Sequence, residues 1–450
     1  MDRSRFGLLA ILVIAGAAGG VYLSSRGAGE PQPALAPSEP DAPRIVARVP
    51  LSAFDAKDTV EAPDIAIGPD DGINLVWGSK TAAAERSVLF TRSVDGGQSF
   101  ETPRAVRQAG IYRSAAKESK GGYERRASAH VAVQGEAIVL SWCEALPDRT
   151  AMRMVVAAST DGGRSFTDPR SVHTGARANP TFTAVAAGPE EALACAWLDD
   201  RRGIQEPFAS IRQASVAAFE PERVVHSQGV CPCCPLAACF GPDGTLYIAF
   251  RNINDGYRDI AICRKKKDQA AFEGPFPVVS NAWKFDGCPH DGPSLVVTGS
   301  TIHAAWMDAR GGPQRCYYAR ADTTDMKFEA RELHPNAPGT QGNARLIADG
   351  LGGLYAVWEE SLGVEASADA GHHHGPPKLG GSGRAIMLAH KPATAAEFGA
   401  ARAVAPKPGA FQSRPCLARR SDGDLVLAWM ELDESGKVVV VAHVPRKAMP

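Results

Sequence analysis

Residues 229–244 read GVCPCCPLAACFGPDG, which places Cys231, Cys233 and Cys234 within four positions. A second stretch, GCPHDGP, adds Cys288 with His290 and Asp291 beside it. A thiolate-rich set with an imidazole suits a soft ion, Cu(I) above all, and can also hold zinc. The alternative is a pair of disulfides, with the adjacent Cys233 and Cys234 each bonded elsewhere because neighbours bond to one another only awkwardly. A redox role has less behind it, since C-x-C-C is not the helix-starting C-x-x-C arrangement. His372 to His374, in a glycine-rich insertion, read either as a mobile metal collector or as a solvated loop. Cys195, Cys239, Cys263, Cys316 and Cys416 fall in apolar runs and read as small buried side chains, while Cys143 follows an aromatic and is open to either reading.

These residues need a mount, and internal repetition supplies one. A glycine turn followed by an alternating apolar run ending in an aromatic recurs seven times, at Trp77, Trp142, Trp197, Phe250, Trp306, Trp358 and Trp429. Each copy has a short apolar run before it, and most have a third and a fourth after it. Alternation punctuated by Gly, Asp and Pro is the strand and hairpin signal, and four strands per unit predicts an all-β fold. The expectation is a seven-bladed β-propeller of four-stranded antiparallel blades, with six blades as the alternative. The last copy lacks a fourth strand, which RIVARVP (Arg44 to Pro50) could supply from the N-terminal side.

Two turns carry a sharper pattern. SVDGGQSF (Ser93 to Phe100) and STDGGRSF (Ser159 to Phe166) each combine an Asp that can cap backbone N–H groups, a glycine free to adopt positive φ, and a packing aromatic. On these motifs the chain resembles the Asp-box (BNR-repeat) propellers of the sialidase-like superfamily over nearly all of residues 44–450. The boxes are staples of the fold, and activity has to be argued from other residues. The resemblance implies a sialidase site of three arginines, an Asp acid/base and a Tyr nucleophile activated by Glu. PRIV (Pro43 to Val46) is the nearest early arginine motif and lacks the family's aromatic and proline. Arg126, Arg345 and Arg414 open the first strands of three units, where they either clamp a carboxylate or pair with acids across a central channel. Asp199, Asp200, Asp308, Glu359, Glu360 and Glu431 supply carboxylates, and Tyr257 is the candidate phenol.

Strand parity then sorts the loops. Turns between strands one and two share a face with the Asp boxes, and the loops between strands two and three share the opposite face with the crossings between units. The cysteine loops, the three arginines and Tyr257 all fall on that second face.

Composition bounds the rest. With 49 basic against 50 acidic residues and a net charge of −1, the chain has no electrostatic footprint for nucleic acid. Arg3 and Arg5 precede an uncharged run from Phe6 to Ser25, long enough for a membrane helix or a signal peptide, and PQPALAPSEPDAP follows as an extended linker. The expected organisation is a signal peptide or N-terminal transmembrane anchor over 1–27, a Pro-rich linker over 28–43 and the propeller over 44–450. The expected location is periplasmic or cell-surface, with the membrane as one partner and a glycan or protein ligand on the propeller face. Two functions stand side by side: a binding or assembly module whose rim of Cys231, Cys233, Cys234, Cys288 and His290 holds copper or zinc or is disulfide-stabilised, and an exo-sialidase-type glycoside hydrolase acting on terminal acidic sugars.

Overall fold

A computed structural model describes residues 42–50, 59–60, 62–80, 86–109, 113–114, 123–124, 129–146, 151–175, 178–213, 218–363, 383–434 and 436–449. These all lie in the compact unit Asp41–Pro450. The N-terminal apolar run, nearly all of the linker, Arg126 and His372 to His374 lie outside the described residues. The membrane anchor expected at the N-terminus gains no support: among the described residues no helix is long and apolar enough to cross a bilayer.

The fold is all-β, with only short 3-10 turns at Pro189–Glu191 and Arg446–Ala448 among the described residues. Seven four-stranded antiparallel units are described, and they follow one another along the chain. Unit one comprises Asp64–Ile67, Ile73–Lys80, Arg86–Ser93 and Arg104–Gln108. Unit two is His130–Gln134, Ala137–Ala145, Met152–Ser159 and Arg170–Ser171, and unit three is Thr181–Ala187, Leu193–Asp199, Glu206–Arg212 and Arg223–Val224. Unit four is Ala237–Phe240, Leu246–Arg251, Ile260–Lys265 and Glu273–Pro277, and unit five is Ser294–Thr298, Thr301–Asp308, Arg315–Asp322 and Glu329–Glu332. Unit six is Gln341–Ala348, Leu354–Ser361, Arg384–Lys391 and Arg402–Val404. Unit seven takes Phe411–Arg419, Leu425–Asp433 and Gly436–Val444 from the C-terminal end and Arg44–Pro50 from the N-terminal end. That last strand pairs Arg44 with His443 and Pro50 with Val438, the closure expected from the sequence.

The first strand of each unit touches the first strand of the next, and that of unit seven touches that of unit one, so the inner strands close a ring. Between each consecutive pair of sheets lies an apolar layer, from Phe90 and Val131 between units one and two round to Ile65 and Val441 between units seven and one. Because every sheet is covered on both faces, strand two is largely apolar and buried, as in Leu193–Asp199 and Leu246–Arg251. The seven marker aromatics sit on strand two and are all under 2% exposed.

The Asp boxes join strands three and four of units one and two, as expected. In the first, the Ser99 amide donates to Asp95 Oδ1 at 2.9 Å and the Gly97 amide to Ser93 Oγ at 2.9 Å. The second repeats this with Ser165 on Asp161 at 3.0 Å and Gly163 on Ser159 at 2.7 Å. Gly97 and Gly163 have φ of 89° and 83°, which only glycine adopts cheaply. Phe166 of the second box packs edge-on against Phe90 of unit one, with centroids 5.2 Å apart.

Candidate functional site

The crossing from unit three to unit four turns at Pro232 and brings three sulfurs together. Cys231 Sγ lies 3.5 Å from both Cys233 Sγ and Cys234 Sγ, and all three sulfurs fall within 4.8 Å of one another. The loop is pinned at both sides: Val230 N–H donates to Gln205 O at 3.0 Å, and Cys231 N–H to Arg251 O at 2.9 Å. Each of the three cysteines is 1% exposed, in the apolar layer formed with Phe182, Leu198, Phe250 and Cys263. All ten cysteines are unbonded, and 3.5 Å is well beyond the ~2.05 Å of a disulfide.

Two arginines flank the sulfurs. Arg258, in the loop after Arg251, donates through Nη1 to Cys231 Sγ at 3.3 Å and through Nε to Phe285 O at 3.1 Å. Arg251 is itself buried and donates to the carbonyls of Arg258, Asp291 and Met307 at 2.8 to 3.2 Å. Hydrogen bonds from the Cys233 and Cys234 thiols, with the nearby Arg251 charge, hold the Cys231 thiol well below its ordinary range despite burial. The same hydrogen bonds and burial push Cys233 up, while burial followed by the Cys231 neighbour pushes Cys234 up.

Of the five candidate metal ligands, the three from one loop come together. Cys288 packs half-buried against the same apolar layer, and His290 sits at a positive φ of 55°; neither belongs to the group whose ligand atoms all fall within 4.8 Å. Among the arginines, Arg345 and Arg414 lie in the first strands of units six and seven, each at a break in register: between Gly342 and Arg345 in one, between Ser413 and Cys416 in the other. Arg414 has φ of 53° and its amide donates to Glu359 Oε2 at 2.8 Å, while Glu359 Oε1 accepts from Arg384 at 2.6 Å. Phe182, His290, Asn343 and Arg414 thus adopt positive φ at or just before the inner strands of units three, five, six and seven, a costly conformation for non-glycine residues. Burial raises the Asp291 carboxyl above its ordinary range even though Arg251 lies close, and its Oδ2 accepts the Asn343 amide at 2.6 Å. Tyr257 closes the hairpin loop of unit four, with the Lys284 ammonium 5.6 Å from its ring centroid.

Several rim carboxylates are structural. Asp199, Asp308 and Glu360 each accept the indole N–H of the tryptophan two residues earlier, at 2.9 to 3.1 Å, and Asp199 and Asp308 also bind Arg201 and Arg310. Glu144 does the same for Trp142 and adds Arg107 and Arg153. Arg251 and Arg258 are the residues that sequence reasoning missed. Their signal was a broken rule: units two, three, five, six and seven read Trp-x-Asp/Glu at the marker, whereas unit four reads Phe250-Arg251-Asn252.

No protein-family model matches the chain, and no curated protein matches it. Solved structures do. The polysaccharide lyase Uly1 is 10% identical over 85% of this chain and 89% of its own, with a TM-score of 0.53. The α-L-arabinanase of Penicillium chrysogenum is 11% identical over 91% and 99%, with a TM-score of 0.47, and the Hadza microbial sialidase Hz136 is 12% identical over 84% and 78%, at 0.45. At such identities the likeness speaks to the fold alone. The likeness to the lyase, together with the closed ring of four-stranded sheets and the two Asp boxes, gives this chain the sialidase-like β-propeller fold.

Proposed function

We propose that the protein is a seven-bladed, metal-handling propeller, a binding module whose C-x-C-C loop takes up a soft metal ion, copper or zinc. The observation that carries this reading is the trio of buried sulfurs within 4.8 Å of one another. A metal held at a Zn–S-like distance of about 2.3 Å by three sulfurs in a plane spaces them near ~4 Å, and the sulfurs stand at 3.5 Å, 3.5 Å and within 4.8 Å. Small rotations of three side chains would complete the set. Apolar packing alone explains a buried cysteine, but not two converging on a third that also accepts from a guanidinium.

The test is metal content and thiol count of the full chain purified anaerobically without added reductant. One equivalent of copper or zinc, lost when Cys233 and Cys234 are replaced by Ser, is the expected result. Absence of metal with fewer than ten titratable thiols would replace this reading with a disulfide clamp. The sialidase-type alternative draws on Arg345 and Arg414 standing at equivalent breaks in adjacent units on the same face. It predicts release of sialic acid from a fluorogenic sialoside, abolished in the Arg345→Ala variant; no turnover sets it aside.

A further inference from the structure

Resting on that reading, we infer that the trithiol site selects Cu(I) over Zn(II), and that the guanidiniums of Arg258 and Arg251 set the choice. Ligand number comes first. The group of converging ligand atoms among the described residues has three members, which suits a three-coordinate monovalent ion, whereas structural zinc sites are closed by four.

Charge is the second argument. Three thiolates around Cu(I) carry a net charge of −2, against −1 around Zn(II), and the loop that holds them lies against two fixed positive charges. Arg258 meets Cys231 Sγ directly at 3.3 Å. Arg251 is 1% exposed, and its hydrogen bonds go to backbone carbonyls, which carry no compensating charge. A guanidinium so deeply buried needs an anion close by. Cys234, Asp291, Cys231 and Asp308, when ionised, are the groups that favour its charge. Asp308 is already engaged by Arg310, and Asp291 Oδ2 by the Asn343 amide. The sulfur cluster and Asp291 are the remaining sources of charge, and the more anionic the loaded form of the cluster, the better it matches the two arginines.

Arg258 is a positioning residue here, acting on the ion through Cys231. The experiment is anaerobic competition of the full chain against chromophoric chelators, for Cu(I) and Zn(II) separately, with Arg258→Met and Arg258→Lys variants and a thermal melt of each to confirm folding. The expected result is tighter Cu(I) than Zn(II) binding in the parent. Arg258→Met should weaken Cu(I) by about 10- to 100-fold, the range for outer-shell partners, and Zn(II) by less, with Arg258→Lys restoring most of the loss. X-ray absorption of the copper-loaded protein should count three sulfurs. Equal affinities, or an equal loss of both ions in Arg258→Met, would overturn the selectivity while leaving a metal site in place. If the parent binds neither ion, the metal reading itself falls.

Discussion

Asp95 shows how a single exposed side chain can hold a turn. Hydrogen bonds from Ser99 hydroxyl and amide, then from Ser93, lower its carboxyl to about 2. A carboxylate depressed on folding stabilises the native state at pH values above its unfolded value of about 4, and that contribution disappears as pH falls through the folded value. Asp95→Asn should therefore lower the melting temperature at pH 7, and the gap to the parent should close between about pH 4 and pH 2. A gap that stays constant over that range would mean that the turn depends on the shape of the side chain and not on its charge. Asp308 is the buried counterpart. It is 1% exposed and holds both the Trp306 indole N–H at 2.9 Å and the Arg310 guanidinium. Asp308→Ala leaves both donors without it, and breaking such a pair costs about 3 kcal/mol, readable as a lower denaturant midpoint.

At the scale of elements, most of the ring was legible because sheets stacked face to face leave a strong period. The glycine turn, the alternating run and the marker aromatic repeat where each unit's first two strands lie, and the Asp boxes fix where strands three and four turn. What was not legible depends on partners remote in sequence. Arg258 reaches Cys231 across 27 positions, and Arg251 reaches Met307 across 56, so neither pairing leaves a local pattern. The carboxylates after the tryptophans looked available in sequence, yet Asp199, Asp308 and Glu360 are occupied by the indoles two residues before them. The strand from the N-terminal side makes the longest-range pairing, and its edge carries a prediction. Removing Arg44–Pro50 exposes the backbone edge of Gly436–Val444 and takes away Val46 and Ala47, which pack on the layer between units seven and one. A chain beginning at residue 51 should melt more than about 5 °C lower and aggregate on heating. An unchanged melt would mean that the ring does not need this strand for its stability.

For the whole molecule, the cysteine loop is more than a rim decoration, since its sulfurs lie in the apolar layer joining units three and four, and Arg251 extends the connection to unit five through Asp291 and Met307. An ion bound there would pin the loop that joins units three and four, and ligand that binds only the native state adds stability by mass action. Free Cu(I) at a hundredfold over its dissociation constant contributes about 2.7 kcal/mol. Spread over the unfolding entropy of roughly 400 residues at about 2.1 cal/mol/K each, that is a rise of about 3 °C in melting temperature. Seven further cysteines become available in the unfolded chain and compete for the ion, so the observed rise should be smaller than this and grow when the strand cysteines Cys195, Cys263 and Cys316 are replaced by Ala in a variant that still folds. Replacing Cys233 and Cys234 by Ser should abolish the rise. A melting temperature that instead falls on adding a reductant, and does not respond to Cu(I), would identify the loop as an oxidised clamp between units and move the search for a ligand to Arg345, Arg414 and the inner strands that carry them.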